Sequence, residues 1–262
     1  MNTAKADLRA RVGTERAAAM PALFWAILAA GLVLRLIFIT NHGFKADVDS
    51  FEAWALALNA HPFSQFYGMT SFADYPPGYF YVLWLVGRVF ELFGSTNYAI
   101  LGDLAKLPAI AMDLVDGAVI FALVRRFAGQ RWALVATAVF VLNPAVIFIS
   151  AAWGQVDSVS GGLALLGVYL LLRSDDREPA AFAWYILLAW LALSYSLLIK
   201  PQAAVLIPLF LAFAFVVPAR RRERFTATAA GVVAALLLAL IVTLPFHPTF
   251  NPADAFTWLY AK

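Results

Sequence analysis

The 262-residue chain is 63% hydrophobic and 13% charged, carries no cysteine and has a formal net charge of +3. A soluble globule of that composition would precipitate, and several runs reach the ~20 apolar residues needed to cross a bilayer, so the chain reads as a polytopic membrane protein. The lack of cysteine excludes disulfides, thiolate nucleophiles and Cys-ligated metals, and the small net charge argues against a nucleic-acid partner.

A basic tail (Lys5, Arg9, Arg11, Arg16) precedes the first apolar run, at 21–40. No convincing cleavage site follows it, so the run is taken as a retained span rather than a removed signal. Further apolar runs lie at 77–94, 104–124, 132–149, 159–172, 182–199, 201–217 and 226–244. Between them the arginines cluster three times: Arg125, Arg126 and Arg131; Arg173 and Arg177; and Arg220, Arg221, Arg222 and Arg224. Short loops rich in Lys and Arg stay cytoplasmic. That places the tail and all three clusters inside, and leaves 41–76, 150–158, the Lys200-Pro201 turn and 246–262 outside.

The stretch from Pro77 to Arg125 then starts outside and ends inside, so it crosses an odd number of times although it holds two apolar runs. The run at 77–94 is interrupted by Arg88 and Glu91 and is rich in interfacial aromatics (Tyr79, Tyr81, Trp84). It is therefore expected to lie along or dip into the outer face. Seven spans remain. Eight spans, with Arg125 and Arg126 outside, are the alternative. Within the outer loop, Phe51, Trp54, Ala55 and Leu58 recur at helical spacing after Asp49-Ser50, which predicts a surface helix capped by that pair. The expected architecture is all-α: a single polytopic transmembrane bundle over 1–262, with juxtamembrane helices in the first outer loop, 41–94. The chain reads as the N-terminal part of a longer protein.

Three polar features fall on the outer side: Asp47 with Asp49, the run Asp74–Tyr79 (Asp-Tyr-Pro-Pro-Gly-Tyr), and Trp153–Ser158 (Trp-Gly-Gln-Val-Asp-Ser). Charged groups near hydrocarbon persist mainly where they line a wet cavity or do chemistry. Together with Phe51, Trp54-Ala55, Asn143-Pro144 and Lys200-Pro201-Gln202, these residues resemble the GT-C superfamily of polyprenyl-phosphate-sugar-dependent glycosyltransferases, closest to bacterial mannosyltransferase-like members. The resemblance spans nearly the whole chain. It implies a GT-C-like fold in a bacterial inner membrane and transfer of a sugar, mannose by resemblance alone, from a polyprenyl-phosphate donor to a glycan, lipid or protein acceptor.

A transferase joining a sugar to a hydroxyl needs a base for the departing proton, and a carboxylate suits that task against an oxocarbenium-like centre. The resemblance puts Asp47 in that role, with Asp49 as the substitute; otherwise both acids serve the dipole of the surface helix. Gln155 and Asp157 are candidates for orienting the acceptor, although Asp157 with Ser158 also suits an N-cap. Asp74 and Tyr75 are candidates for the same cavity, although the double proline fixes an extended turn in any case. Gln202, beside Lys200, completes the set. Lys200 is the first candidate for the donor phosphate, with snorkelling as the bland reading. Arg35 is an alternative that more often snorkels.

Asp113 and Asp116 share a helical face inside an apolar run and read as polar contacts in the bundle interior, or as proton carriers if the chain is instead a secondary transporter. Lys106 is too far along that helix for certain pairing with them. Against a transporter, no repeat or broken helix is apparent. A truncated, inactive lipid-binding relative is the third reading. His42, His61 and His247 lack metal-ligand spacing, and no Gly-rich phosphate loop appears. No cofactor is expected, and a divalent metal stays open.

Overall fold

The computed structural model describes residues 22–70, 72–176, 178–215 and 220–260. The basic tail, Arg177, the end of the 201–217 run and Lys262 lie outside those residues. The main helices in chain order are α1 (Ala22–Phe38), α2 (Lys45–Ala60), α3 (Gly78–Leu92), α4 (Tyr98–Val141), α5 (Asp157–Ser174), α6 (Pro179–Ile199), α7 (Ile207–Ala212), α8 (Arg221–Thr243) and α9 (Ala255–Tyr260). No strand occurs among the described residues, so the fold is all-α. Three helices are long and apolar enough to cross a membrane, Tyr98–Val141, Ala181–Ile199 and Arg221–Phe246. Shorter apolar helices run over Ala22–Phe38, Pro144–Trp153 and Pro201–Ala212.

Helix α4 is two helices in one. Gly129 sits at φ 81°, ψ 175°, a conformation that costs a residue with a Cβ but not glycine. The chain turns back there. Thr137 Oγ1 lies 3.3 Å from the Gly117 carbonyl, 20 residues away, whereas a straight helix would separate them by about 30 Å. The two apolar runs expected at 104–124 and 132–149 thus form a hairpin. The second limb is broken. It ends at Val141, restarts at Pro144 with Asn143 Oδ1 accepting from Ala145 N at 2.9 Å, and finishes as a π-helical stretch, Phe148–Trp153. The break was not expected from the sequence, although Asn143-Pro144, a capping residue followed by a proline at the first helical position, carries its signal.

The arginine clusters gather at one end of the bundle. Arg126 and Arg173 pair with Asp176, and Arg224 pairs with Asp175. Asp47, Gln155 and Lys200 meet at the opposite end, where α2, α3 and the start of α4 form a layer of their own. Helix α3, 15 residues, is about 22 Å long, short of the ~30 Å hydrocarbon core. Its Tyr79 and Phe80 pack against Phe51 and Trp54 of α2 and against Phe66 of the short helix between them, all nearly inaccessible, and Phe246 after α8 stacks on Phe63 at 5.0 Å. The ring pairs are mostly edge-to-face, the arrangement their quadrupoles favour. Tyr195 of α6 donates to the Gly78 carbonyl at 3.1 Å and Tyr81 donates to Val242 of α8 at 3.0 Å, so this layer is bolted to two of the long helices.

The expected helical face of α2 is buried as Val48, Phe51, Trp54, Ala55 and Leu58, but the cap is elsewhere. The helix begins at Lys45 after Phe44, not at Asp49-Ser50, because Phe44 N bonds the Trp153 carbonyl at 2.9 Å and fixes the chain entry earlier. Asp47 consequently lies in the first turn, where the helix dipole favours a carboxylate.

Candidate active site

Two glycines in left-handed conformation set the geometry. Gly43 (φ +73°) leads into α2, and Gly154 (φ +93°) ends the π-helical stretch. A Cβ on Gly43 would lie 2.5 Å from the Trp153 carbonyl oxygen, so only glycine lets the two loops touch. That contact brings Asp47 to Trp153 and Gln155.

Asp47 Oδ2 accepts from Trp153 Nε1 at 2.7 Å and from Gln155 Nε2 at 2.5 Å. Gln155 Oε1 in turn accepts from Lys200 Nζ at 3.0 Å and more weakly from Tyr75 OH at 3.4 Å. The amide can face only this way, since a carboxylate accepts and an ammonium donates. Lys200 Nζ also donates to Asp157 Oδ1 at 2.5 Å and sits 5.3 Å from the centre of the Tyr75 ring. Five of the eight residues singled out by sequence, Asp47, Tyr75, Gln155, Asp157 and Lys200, thereby form one continuous polar chain drawn from four separate segments.

The other three stand apart. Asp49, Asp74 and Gln202 are exposed and take no part in this chain of bonds. Asp49 acts on Glu52 instead, whose carboxyl is pushed up by burial first and by the Asp49 charge second. The N-cap reading of Asp157 is also displaced. Val156 occupies the cap position without a side-chain bond, Asp157 is the first helical residue, and Ser158 Oγ donates to the Ala109 carbonyl at 3.0 Å. Lys200 does not snorkel, with only 16% of its side chain accessible.

Electrostatics favour a charged Lys200 and a neutral Tyr75. Burial lowers the Lys200 ammonium, but its hydrogen bond to Asp157 and its neighbour Tyr75 outweigh that and hold it above 10.5. Burial raises the Tyr75 phenol, with Lys200 pulling the other way, so it remains a donor. Asp47 keeps one oxygen free: Oδ1 accepts no hydrogen bond from the described residues, while Oδ2 is held twice. A carboxylate so oriented can take a proton, and an ammonium two bonds away can meet an anion.

Arg35 belongs to none of this. It is fully buried, its Nε 2.7 Å from Asp113 Oδ2 and its Nη1 donating to the Gly31 and Val141 carbonyls at 2.9 and 2.8 Å. It neither snorkels nor reaches the Asp47–Lys200 chain, because Asp113 of α4 lies within its reach. Lys106 likewise finds partners that sequence missed. It caps the end of α1 by donating to the Ile39 carbonyl at 2.7 Å and to Asn41, beside Asp103 at 3.9 Å. The role of Trp153 as donor to Asp47 was legible only as an aromatic with a polar tip. Among the described residues no three of His, Cys, Asp and Glu gather closely enough to hold a metal ion.

A family model described as dolichyl-phosphate-mannose-protein mannosyltransferase matches residues 74–248, about two thirds of the chain. Tyr75, Gln155, Asp157 and Lys200 fall within the matched segment and Asp47 precedes it. No curated protein and no solved structure matches the chain.

Proposed function

The chain belongs to the dolichyl-phosphate-mannose-protein mannosyltransferase family of GT-C glycosyltransferases, and from that premise we propose that it transfers a sugar from a polyprenyl-phosphate donor to an acceptor hydroxyl, with Asp47 as general base. The acceptor oxygen attacks the anomeric carbon, the bond from that carbon to the phosphate oxygen breaks, and the acceptor proton passes to Asp47 Oδ1. Displacement from the opposite face inverts the anomeric configuration. Polyprenyl phosphate leaves, its charge met by Lys200. Tyr75, Gln155 and Asp157 hold base and cation in register, and the exposed Asp74 and Gln202 are rim contacts for substrate. The family description makes mannose the first sugar to try. The acceptor is a glycan, lipid or protein, and no cofactor takes part in this scheme.

The observation that carries this reading is the division of labour at Asp47. One oxygen is fixed by Trp153 and Gln155, the second is free, and the same Gln155 is bound to the Lys200 ammonium. The gathering of Arg126, Arg173 and Arg224 at the far end supports an inner-membrane protein with its N-terminus and arginine clusters cytoplasmic and the site outside.

The test is transfer from polyprenyl-phosphate mannose in membranes bearing each variant at matched protein level. Asp47→Asn removes the proton acceptor while keeping shape, and turnover is expected to fall by about 10²-fold or more; Asp49→Asn is expected to stay near wild type. Near-normal transfer by Asp47→Asn sinks the assignment.

A further inference from the structure

We infer that Lys106 is a positioning residue for the transfer reaction: one side chain holds the two loops that meet at Asp47, and so sets the Trp153–Asp47 contact. The inference rests on the reading of Asp47 as base. Lys106 lies on α4 and is 1% exposed.

Its ammonium grips the first loop. Nζ donates to the Ile39 carbonyl at 2.7 Å and to the Asn41 carbonyl, two acceptors where α1 gives way to the loop. Gly43 follows at φ +73°, and Phe44 N then bonds to the Trp153 carbonyl at 2.9 Å. The stem of the same lysine supports the second loop. A Cβ on Gly154 would meet Lys106 Cγ and Cε at 3.5 Å each, so the alkyl chain runs directly beside that glycine. Val48 of α2 completes the joint. Its Cγ2 lies 2.7 Å from the Cβ position of Gly43 and 3.0 Å from that of Gly154.

Packing alone does not call for a lysine here. A buried ammonium is costly, and the ion-pair partner, Asp103 Oδ1, stands 3.9 Å away, beyond hydrogen-bond range. A methionine would fill the space of the stem without that cost. What lysine adds is a donor that reaches past Gly154 to the carbonyls of the other loop. Asp47 lies in the first turn of α2, just after Phe44, and Trp153 immediately precedes Gly154. A shift of either loop therefore moves the indole N–H relative to the carboxylate, and a misplacement of about 1 Å can cost about 10²-fold in rate.

The experiment compares wild type, Lys106→Met and Lys106→Arg in two ways. One is hydrogen exchange at the Phe44 amide of the full chain in detergent; the other is transfer from polyprenyl-phosphate mannose in membranes at matched protein level. Phe44 is expected to exchange about 10-fold faster in Lys106→Met, with Lys106→Arg, which keeps the donors, recovering part of the protection. In Lys106→Met kcat is expected to fall about 10-fold or more while the donor KM stays put, since Lys200 still meets the phosphate. Added to Trp153→Phe, Lys106→Met is expected to cost little more, because the contact it positions is already gone. Lys106→Gln, whose nitrogen ends one bond short of the ammonium, replaces Lys106→Met in every comparison if the latter does not fold. Wild-type exchange at Phe44 overturns the inference whatever the transfer rate. So does a loss of transfer that is undiminished in the Trp153→Phe background, or one accounted for by donor KM alone. Near-normal transfer by Asp47→Asn overturns the base reading instead, and exchange at Phe44 still decides whether Lys106 holds the loops.

Discussion

Trp153 Nε1 and Asp47 Oδ2 stand 2.7 Å apart across 106 residues of sequence, and that bond joins the first turn of α2 to the end of the broken limb of the α4 hairpin. It is a charge-assisted contact on the oxygen that Gln155 also holds. Its effect is to fix the rotation of the carboxylate.

Gln155 links Asp47 to Lys200. Gln155→Met keeps the volume but removes the donor to Asp47 and the acceptor for Lys200. A hydrogen bond to a charged group is worth about 1.5–3 kcal/mol, so transfer is expected to fall roughly 10- to 100-fold. The wild-type rate in Gln155→Met would show that Asp47 needs no second anchor.

Lys200 gives a pH dependence whose sign is fixed. Its folded value lies above the ordinary 10.5, so the ion pair with Asp157 contributes fully below about pH 10.5 and is lost as pH rises through the folded value. Between pH 7 and 9 the pair adds no slope to stability. Lys200→Met is expected to raise KM for the lipid-phosphate donor while leaving the profile over pH 7–9 unchanged. A KM for the donor equal to wild type would remove Lys200 from the phosphate.

Breaking the buried pair is a stability experiment. Arg35 and Asp113 are 0% and 1% exposed at their side chains, and removing one partner leaves an unpaired buried charge. Arg35→Met is expected to cost about 3–5 kcal/mol, and the double change Arg35→Met with Asp113→Leu to recover much of it. Unfolding midpoints of the two variants decide the matter; a double variant no better than the single one contradicts this account.

Topology can be read cleanly because the chain has no native cysteine. A single cysteine at Gly68, in the layer around the site, is expected to react with an impermeant thiol reagent on intact cells. Cysteines at Gln130, beside the hairpin turn, and at Arg222 are expected to react only after lysis. Labelling at Gln130 in intact cells would restore the eight-span alternative.

Composition and run length determined that this chain is helical and built for a bilayer, since 63% hydrophobic residues gathered in continuous runs of about 20 suit spanning helices and not the short alternating strands of a barrel. The polar motifs were legible for a related reason: polar residues at the ends of apolar runs stand out against their neighbours, and five of them proved to share one network. Partner choice was not legible. The resemblance favoured Asp47 over Asp49, but the physical reason appeared only with the start of α2 at Lys45, set by Phe44 on Trp153, which turns Asp47 toward Gln155 and leaves Asp49 in solvent. The pairing of Arg35 with Asp113, and of Lys106 with the end of α1, was not legible, because a side chain of Arg or Lys length can reach a snorkelling position or a buried partner equally well. The helix hairpin at Gly129 and the break at Asn143 decide which partner lies within reach, and those depend on how helices pack rather than on the residues beside each charge.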